Sequence, residues 1–178
     1  MEMLKNFNIK KYLDKKPPSD NSFTTMQEIK ELSKTPINKN FVKEKDNIKK
    51  SFTKIVDEGE LIQSLIDKSA PIILKIKKHY NRPRPKELAK KLGIKMEDLK
   101  MESMKTPSYP SGHSVQGILI GMVLSDKYPG KKTKLMKTAK DISKSRNIAR
   151  AHYKSDSKFG EKIGKDMYNY IKTINYGF

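Results

Sequence analysis

The sequence predicts an all-α fold. Apolar residues recur at three- and four-residue spacing through two long windows, no stretch alternates apolar with polar residues, and proline and glycine fall between helical windows rather than between paired strands. With 178 residues and no internal repeat, the simplest organisation is one helical domain over 23–178, preceded by an extended arm over 1–22 that ends in "KKPPSDNS". There is no cysteine, so the fold needs no disulfide framework and has no thiolate chemistry.

Element by element, Ser22 or Thr24 is placed to cap a first helix through "TMQEIKELSK", which Pro36 ends. Residues 38–60 carry too few apolar positions to set boundaries. From Glu60 the pairs Leu61/Leu65 and Ile62/Ile66 mark a helix. Pro71 fits the first turn of another one after Ser69, which runs to "RPRP". Residues 86–100 form a short helix with Gly93 near its end, and "MKTPSYPSG" a loop. "HSVQGILIGMVLSDKY" reads as a buried helix in which Gly117 and Gly121 admit a close neighbour, stopped by Pro129-Gly130. Thr133 caps the next helix, with Leu135, Met136, Ala139 and Ile142 on one face. Residues 143–174 continue as helix, with Phe159, Ile163, Met167 and Ile171 as their apolar stripe.

The net charge is +19, from 39 Lys+Arg against 20 Asp+Glu, and a field of that size attracts polyanions or phosphorylated small molecules. The most apolar window, "VQGILIGMVL", has ten residues, well short of a membrane span. The first twenty residues lack the apolar run and small-residue cleavage site of a secretory signal. A soluble, cytoplasmic location is therefore the default expectation.

Three stretches carry chemistry: "KKHYNRPRP", "SYPSGHS" and "SRNIARAHYKSD". His152 and Asp156 stand four apart, a spacing that puts both on one face of a helix. A carboxylate there holds one ring nitrogen and leaves the other basic, as in the orienter-and-base half of a triad or in a histidine nucleophile. Around Ser111 and Gly112, at the head of an apolar helix, backbone N–H groups and a hydroxyl make a nest for an anion, with His113 one residue on to supply a proton. Lys77, Arg84 and Arg146 are the cations that a tetrahedral anion would gather. On an ideal helix Arg146 would lie about 120° around from His152, so either its stem reaches round or the helix is irregular between them.

Together these stretches resemble the three-part signature of the type 2 phosphatidic acid phosphatase (PAP2) superfamily, K-x6-RP, PSGH and SR-x5-H-x3-D. That superfamily includes bacterial class A non-specific acid phosphatases, lipid phosphatases, glucose-6-phosphatase and vanadium haloperoxidases. The wording of the motifs is most similar to the soluble acid phosphatases, from about residue 60 to 170. Lys75 with Arg82-Pro83 fits the first motif as well as Lys77 with Arg84-Pro85, and the second register is preferred. His79 matches no position of the signature.

The resemblance implies a compact helical bundle and a metal-independent phosphatase with no cofactor, acting on a phosphorylated small molecule or lipid. It implies His152 as nucleophile forming a phosphohistidine, Asp156 as its orienter, and His113 as general acid and then base. Lys77, Arg84, Arg146, Ser111 and the Gly112 N–H would hold the phosphate oxygens. Two other readings are a vanadate-dependent haloperoxidase-like enzyme and a non-catalytic binder of polyanions. A basic surface also suits peripheral contact with an anionic membrane, while nucleic acid is not favoured as a partner. The oligomeric state is not legible. The segment 86–107, between the first two motifs, is expected to form part of the substrate wall.

Overall fold

The computed structural model describes residues 3–174. Residues 1–2 and 175–178, included in the two spans above, lie outside the described residues. The architecture is an all-α bundle, with no strand among the described residues. In chain order the helices are α1 (Phe23–Lys34), α2 (Lys39–Asp46), α3 (Ile48–Thr53), α4 (Gly59–Tyr80), α5 (Pro85–Lys91), α6 (Gly112–Lys127), α7 (Lys132–Ile148) and α8 (Lys154–Thr173). No helix among the described residues is long and apolar enough to cross a membrane.

Helix α6 is the axis of the bundle. Its apolar residues do not form a stripe but surround it: Val115, Leu119, Ile120, Val123 and Leu124 are all fully buried, as expected for a helix covered on every side. Glycines set how closely the neighbours approach. A Cβ on Gly121 would stand 2.9 Å from the Ala139 Cβ of α7. The approach of α8 is closer still. A Cβ on Gly160 or Gly164 would lie 2.6 Å from the carbonyl of Ser111, the N-cap of α6, or 2.4 Å from that of Val115 within it. These two α8 glycines, which the sequence reading passed over, seat the third motif directly on the second.

Several expectations are corrected. Helix α4 runs unbroken through Pro71, and Ser69 is no cap, its hydroxyl donating back to the Ile66 carbonyl at 3.1 Å. Pro71 lies on the exposed side, while Ile62, Leu65, Ile73 and Ile76 keep the buried stripe continuous across it. Their burial, about 1.5–3 kcal/mol each, outweighs the roughly 3 kcal/mol that an interior proline costs. Helix α7 starts at Lys132, straight out of a 3₁₀ turn over Pro129–Lys131, rather than at a Thr133 cap. The indistinct region 38–60 is two short helices, with Asn38 and Asn47 side chains accepting from the Phe41 and Lys50 N–H groups at 3.0 and 2.9 Å. Ser22 does cap α1. The N-terminal segment is docked, with Met3, Leu4 and Tyr12 buried in the same core as α4, α6 and α8.

The stretch 143–174 is not one helix. Helix α7 stops at Ile148, and α8 begins at Lys154. Arg150 turns the chain with φ +58°, a left-handed conformation costing about 1–2 kcal/mol for a non-glycine residue. Its guanidinium donates to the carbonyls of Ser33, Thr35 and Glu97, each at 3.0 Å, which offsets that strain. On either side of it Ala149 and Ala151 pack on Val42 of α2, and Tyr153 packs among Ile29, Leu32 and Leu88 of α1 and α5. The small outer helices thus hold rigid the five-residue connection that carries His152.

The close α6–α8 crossing is testable. Gly164→Ala should lower stability by about 1–3 kcal/mol, because backbone rather than a pliable side chain must yield. Gly130→Ala, with nothing within 4 Å of the added carbon, should melt like the wild type. Thermal denaturation of the two variants checks this.

Candidate active site

The helix break between α7 and α8 explains how Arg146 and His152 come to the same place despite the helical geometry against it. Arg146 is on the last turn of α7, and His152 precedes Tyr153, the N-cap of α8. His152 and Asp156 are therefore not on one helix face, as their spacing suggests. Asp156 is the third residue of α8 and turns back over the helix start. Its Oδ2 accepts from the Tyr153 N–H at 3.1 Å and meets His152 Nδ1 at 3.1 Å.

Asp156 has no exposed surface and is held on all sides. Arg82 donates to its Oδ1 at 2.7 Å, and the Ser108 hydroxyl donates to its Oδ2. Burial pushes the Asp156 carboxyl up to about 6, opposed by the Arg82 cation and the hydrogen bonds from Ser108, Arg82 and the Tyr153 N–H. Arg82 in turn stacks on the Tyr153 ring at 3.7 Å and faces Glu28 of α1 at 3.6 Å. Glu28 also accepts from the Ser155 N–H and hydroxyl, at 2.6 and 2.8 Å.

On its other side His152 Nε2 meets Arg84 at 2.9 Å. A guanidinium only donates, so Nε2 carries the lone pair and the ring proton sits on Nδ1 toward Asp156. Burial, and after it the cations Arg84, Lys77 and Arg146, hold the ring's pKa well below the ordinary histidine value. His152 is thus neutral, oriented and basic at Nε2.

Lys77, Gly112, His113, Arg146 and His152 converge on one cleft of about 320 Å³. Ser103 and Thr106, from the segment between the first two motifs, complete its polar side, and Ala70, Ile73 and Leu74 of α4 form an apolar wall. The Lys77 ammonium donates to Thr106 Oγ1 and the Pro107 carbonyl at 3.1 and 2.9 Å, which leaves one of its three N–H groups over. Burial and the neighbouring Arg84 push it down to about 7. Arg84 is braced by the carbonyls of Ser103, Thr106 and Ala151, and burial followed by Arg146 lowers it to about 10. Arg146 donates to Asp46 Oδ1 at 3.0 Å and to the Ser103 hydroxyl at 2.8 Å, while its buried Nε has no hydrogen-bond partner.

Ser111 and Asp156 lie beneath this cleft rather than on its wall. Ser111 caps α6, accepting from the Ser114 N–H at 3.2 Å, and its own N–H donates to the Asp156 carbonyl at 3.1 Å. His113, on the first turn of α6, has Nε2 2.9 Å from the Asp46 main-chain carbonyl. Burial and then Arg146 lower its pKa, and Asp46 raises it. The Asp46 carboxyl is itself held below its usual range, chiefly by its hydrogen bond with His113.

Among the described residues, then, three short motifs, at 77–85, 108–114 and 145–156, meet around a concave, cation-rich cleft. A non-specific acid phosphatase of Salmonella typhimurium is 35% identical to the chain over 98 residues, and one of Salmonella typhi is 34% identical over the same length. Over that stretch the chain is similar to the non-specific acid phosphatases. The match covers 55% of this chain and 39% of those acid phosphatases, so the chain matches well under half of their length. No protein-family model matches the chain.

The two registers of the first motif have separate destinations. Lys77 lines the cleft and Arg84, outside its lining, meets His152 Nε2, whereas Lys75 is exposed and Arg82 braces Asp156 from behind. His79 is at the surface, 2.8 Å from the Leu13 carbonyl. Sequence reasoning missed Arg82 as the partner of Asp156, and it missed Asp46 altogether. The duplicated "RPRP" is the visible trace of the first. Asp46 carries no such signal, since it arrives from an unpatterned helix exactly where the chain crosses Arg146 and His113.

Arg82→Met would leave the Asp156 charge buried without its cation, and stability should fall by about 3–5 kcal/mol. Lys75→Met should change it by less than about 0.5 kcal/mol. Chemical denaturation of both variants distinguishes the two registers.

Proposed function

We propose that the protein is a metal-independent phosphatase that hydrolyses phosphomonoesters through a phosphohistidine. The observation that carries this reading is a neutral His152, fixed by Asp156 through Nδ1 and presenting the Nε2 lone pair among Lys77, Arg84 and Arg146. A strongly basic site normally suppresses protonation of a histidine, and here that same field both keeps the nucleophile free and attracts the anion it attacks.

The phosphoryl oxygens would replace the present contacts of the cations. One N–H of Lys77 and the Nε of Arg146 lack acceptors, and Arg84 would turn from His152 Nε2 to an oxygen, releasing the lone pair. The Gly112 N–H at the start of α6 and the Ser111 hydroxyl add donors at the positive end of the helix. His152 Nε2 then attacks phosphorus, the P–N bond forms as the P–O bond to the leaving group breaks, and His113 gives that oxygen a proton. Water next attacks the phosphohistidine, His113 takes its proton, the P–N bond breaks and phosphate leaves. Asp156 stabilises the charge that His152 gains in the first step and loses in the second.

His113 must carry a second proton for the first step. Burial and Arg146 oppose that, and Asp46 with the incoming phosphate dianion favours it. Lys77 loses its charge as pH rises through about 7 in the free site. Both effects favour acid conditions. The bound ester would rest its leaving group against Ala70, Ile73 and Leu74, and the +19 field would draw in phosphorylated small molecules or lipids and support peripheral contact with an anionic surface.

Hydrolysis of p-nitrophenyl phosphate tests the reading. Activity should survive EDTA, yield to vanadate, and fall more than about 10³-fold in His152→Ala. The ratio kcat/KM should decline with rising pH above about 7, the range in which free Lys77 deprotonates. A folded wild type with no turnover from pH 4 to 8, or a fully active His152→Ala, would overturn it.

A further inference from the structure

We propose that Gln116 is a specificity residue, one that selects phosphate esters of alcohols carrying a further hydroxyl group. The inference rests on the phosphatase reading above. Gln116 lines the cleft from α6, one turn on from His113. Its amide nitrogen is held against α4 by the Ile66 carbonyl at 3.3 Å and the Ser69 hydroxyl at 3.2 Å. Ser69 gives its own proton to the Ile66 carbonyl, so both of these neighbours can only accept. A flipped amide would set oxygen against two acceptors, which fixes the orientation of the group. Gln116 Oε1 accepts from no described residue, and it is not among the buried polar atoms that lack a partner. It is thus an accessible, unused acceptor on a side chain of the cleft wall.

The cleft has two ends. At one, Lys77 of α4 lies against Gly112 of α6, its Cε 3.9 Å from where a Gly112 Cβ would stand. At the other, Ala70 of α4 adjoins Ser69, which holds Gln116. Helices α4 and α6 thus pass the cleft in opposite directions, and Gln116 lies about 4.5 Å further along α6 than His113. In the proposed reaction the phosphate occupies the first end and His113 serves the ester oxygen, so the leaving alcohol extends toward Gln116. The first end presents N–H donors, which suit phosphate oxygens. A bare amide oxygen repels those oxygens and attracts a donor instead. A hydroxyl of the alcohol, a few atoms beyond the ester oxygen, is the group that pairs with Oε1 while its carbon chain rests on Ala70, Ile73 and Leu74.

Two non-hydrolysable probes isolate that contact. 3-Hydroxypropylphosphonate and 3-methoxypropylphosphonate both carry the oxygen, and only the first carries the donor. Calorimetric titration of the full chain should show the hydroxyl compound binding tighter by about three- to tenfold, the effect of one neutral hydrogen bond. In Gln116→Met, and in Gln116→Leu as a second replacement of the amide, the two should bind within about twofold of each other. The comparison is a ratio within each protein. A general loosening of the α4–α6 contact would weaken both probes alike and does not imitate it.

A wild type that binds the two probes alike, or a preference that persists in either variant, overturns the proposal. Turnover of p-nitrophenyl phosphate by the wild type, followed in parallel, separates the two readings. Turnover without the preference counts against the role of Gln116 alone. The preference, lost in the variants but unaccompanied by turnover, counts against the catalytic reading alone. Binding of neither phosphonate to a wild type without turnover counts against both.

Discussion

Everything in the site depends on one buried carboxylate. Asp156 closes the start of α8 by accepting from Tyr153, takes the Nδ1 proton of His152, ties down the loop before α6 through Ser108, and is neutralised by Arg82. The contacts reach three different segments, through Arg82, Ser108 and the His152–Tyr153 pair, so the carboxylate fixes the three motifs relative to one another as well as orienting a single ring. Its main-chain carbonyl does the same, receiving the Ser111 N–H that leads into α6. A carboxylate so deeply buried would be expensive without its cation, and Arg82 is held over Tyr153 and near Glu28 to provide it. The glycines of α8 make this arrangement sterically feasible by letting its first turns lie on the α6 backbone.

The cleft is arranged in the opposite sense. Lys77, Arg84 and Arg146 are buried near one another, and from outside the motifs the Asp46 carboxylate reaches Arg146. Burial first, and then the like charges beside them, lower the pKa values of Lys77 and Arg84. Carbonyl groups of the 103–107 segment hold them in place, but carbonyls offset only part of the repulsion. In the proposed function, a dianion with three terminal oxygens is the complementary ligand. Burial and then this surplus of positive charge lower the His152 pKa, so in the proposed mechanism the cations that would bind the anion also help to keep the nucleophile free.

The sequence made the site more legible than the fold that carries it. Motif residues were visible because their chemistry demands particular side chains at fixed spacing: Lys77, Gly112, His113, Arg146 and His152 do line one cleft. Helices with dense apolar periodicity, α6 and α8, were also readable. What escaped depended on contacts between distant segments. The break at 149–153 has no proline or glycine to announce it, and is imposed by packing of Ala149, Ala151 and Tyr153 on α1, α2 and α5. Conversely, Pro71 announced a break that burial on the opposite face of α4 overrides. The roles of Arg82, in the connection between α4 and α5, and of Asp46, at the end of α2, follow only from where the fold brings them.

The most direct measurement is the protonation and tautomer of His152, read from its ring nitrogen chemical shifts in a chain with only three histidines. The account requires a neutral ring from pH 5 to 8, protonated at Nδ1 and bare at Nε2. A ring that titrates near the ordinary histidine value of about 6.5, or that carries its proton on Nε2, would contradict it.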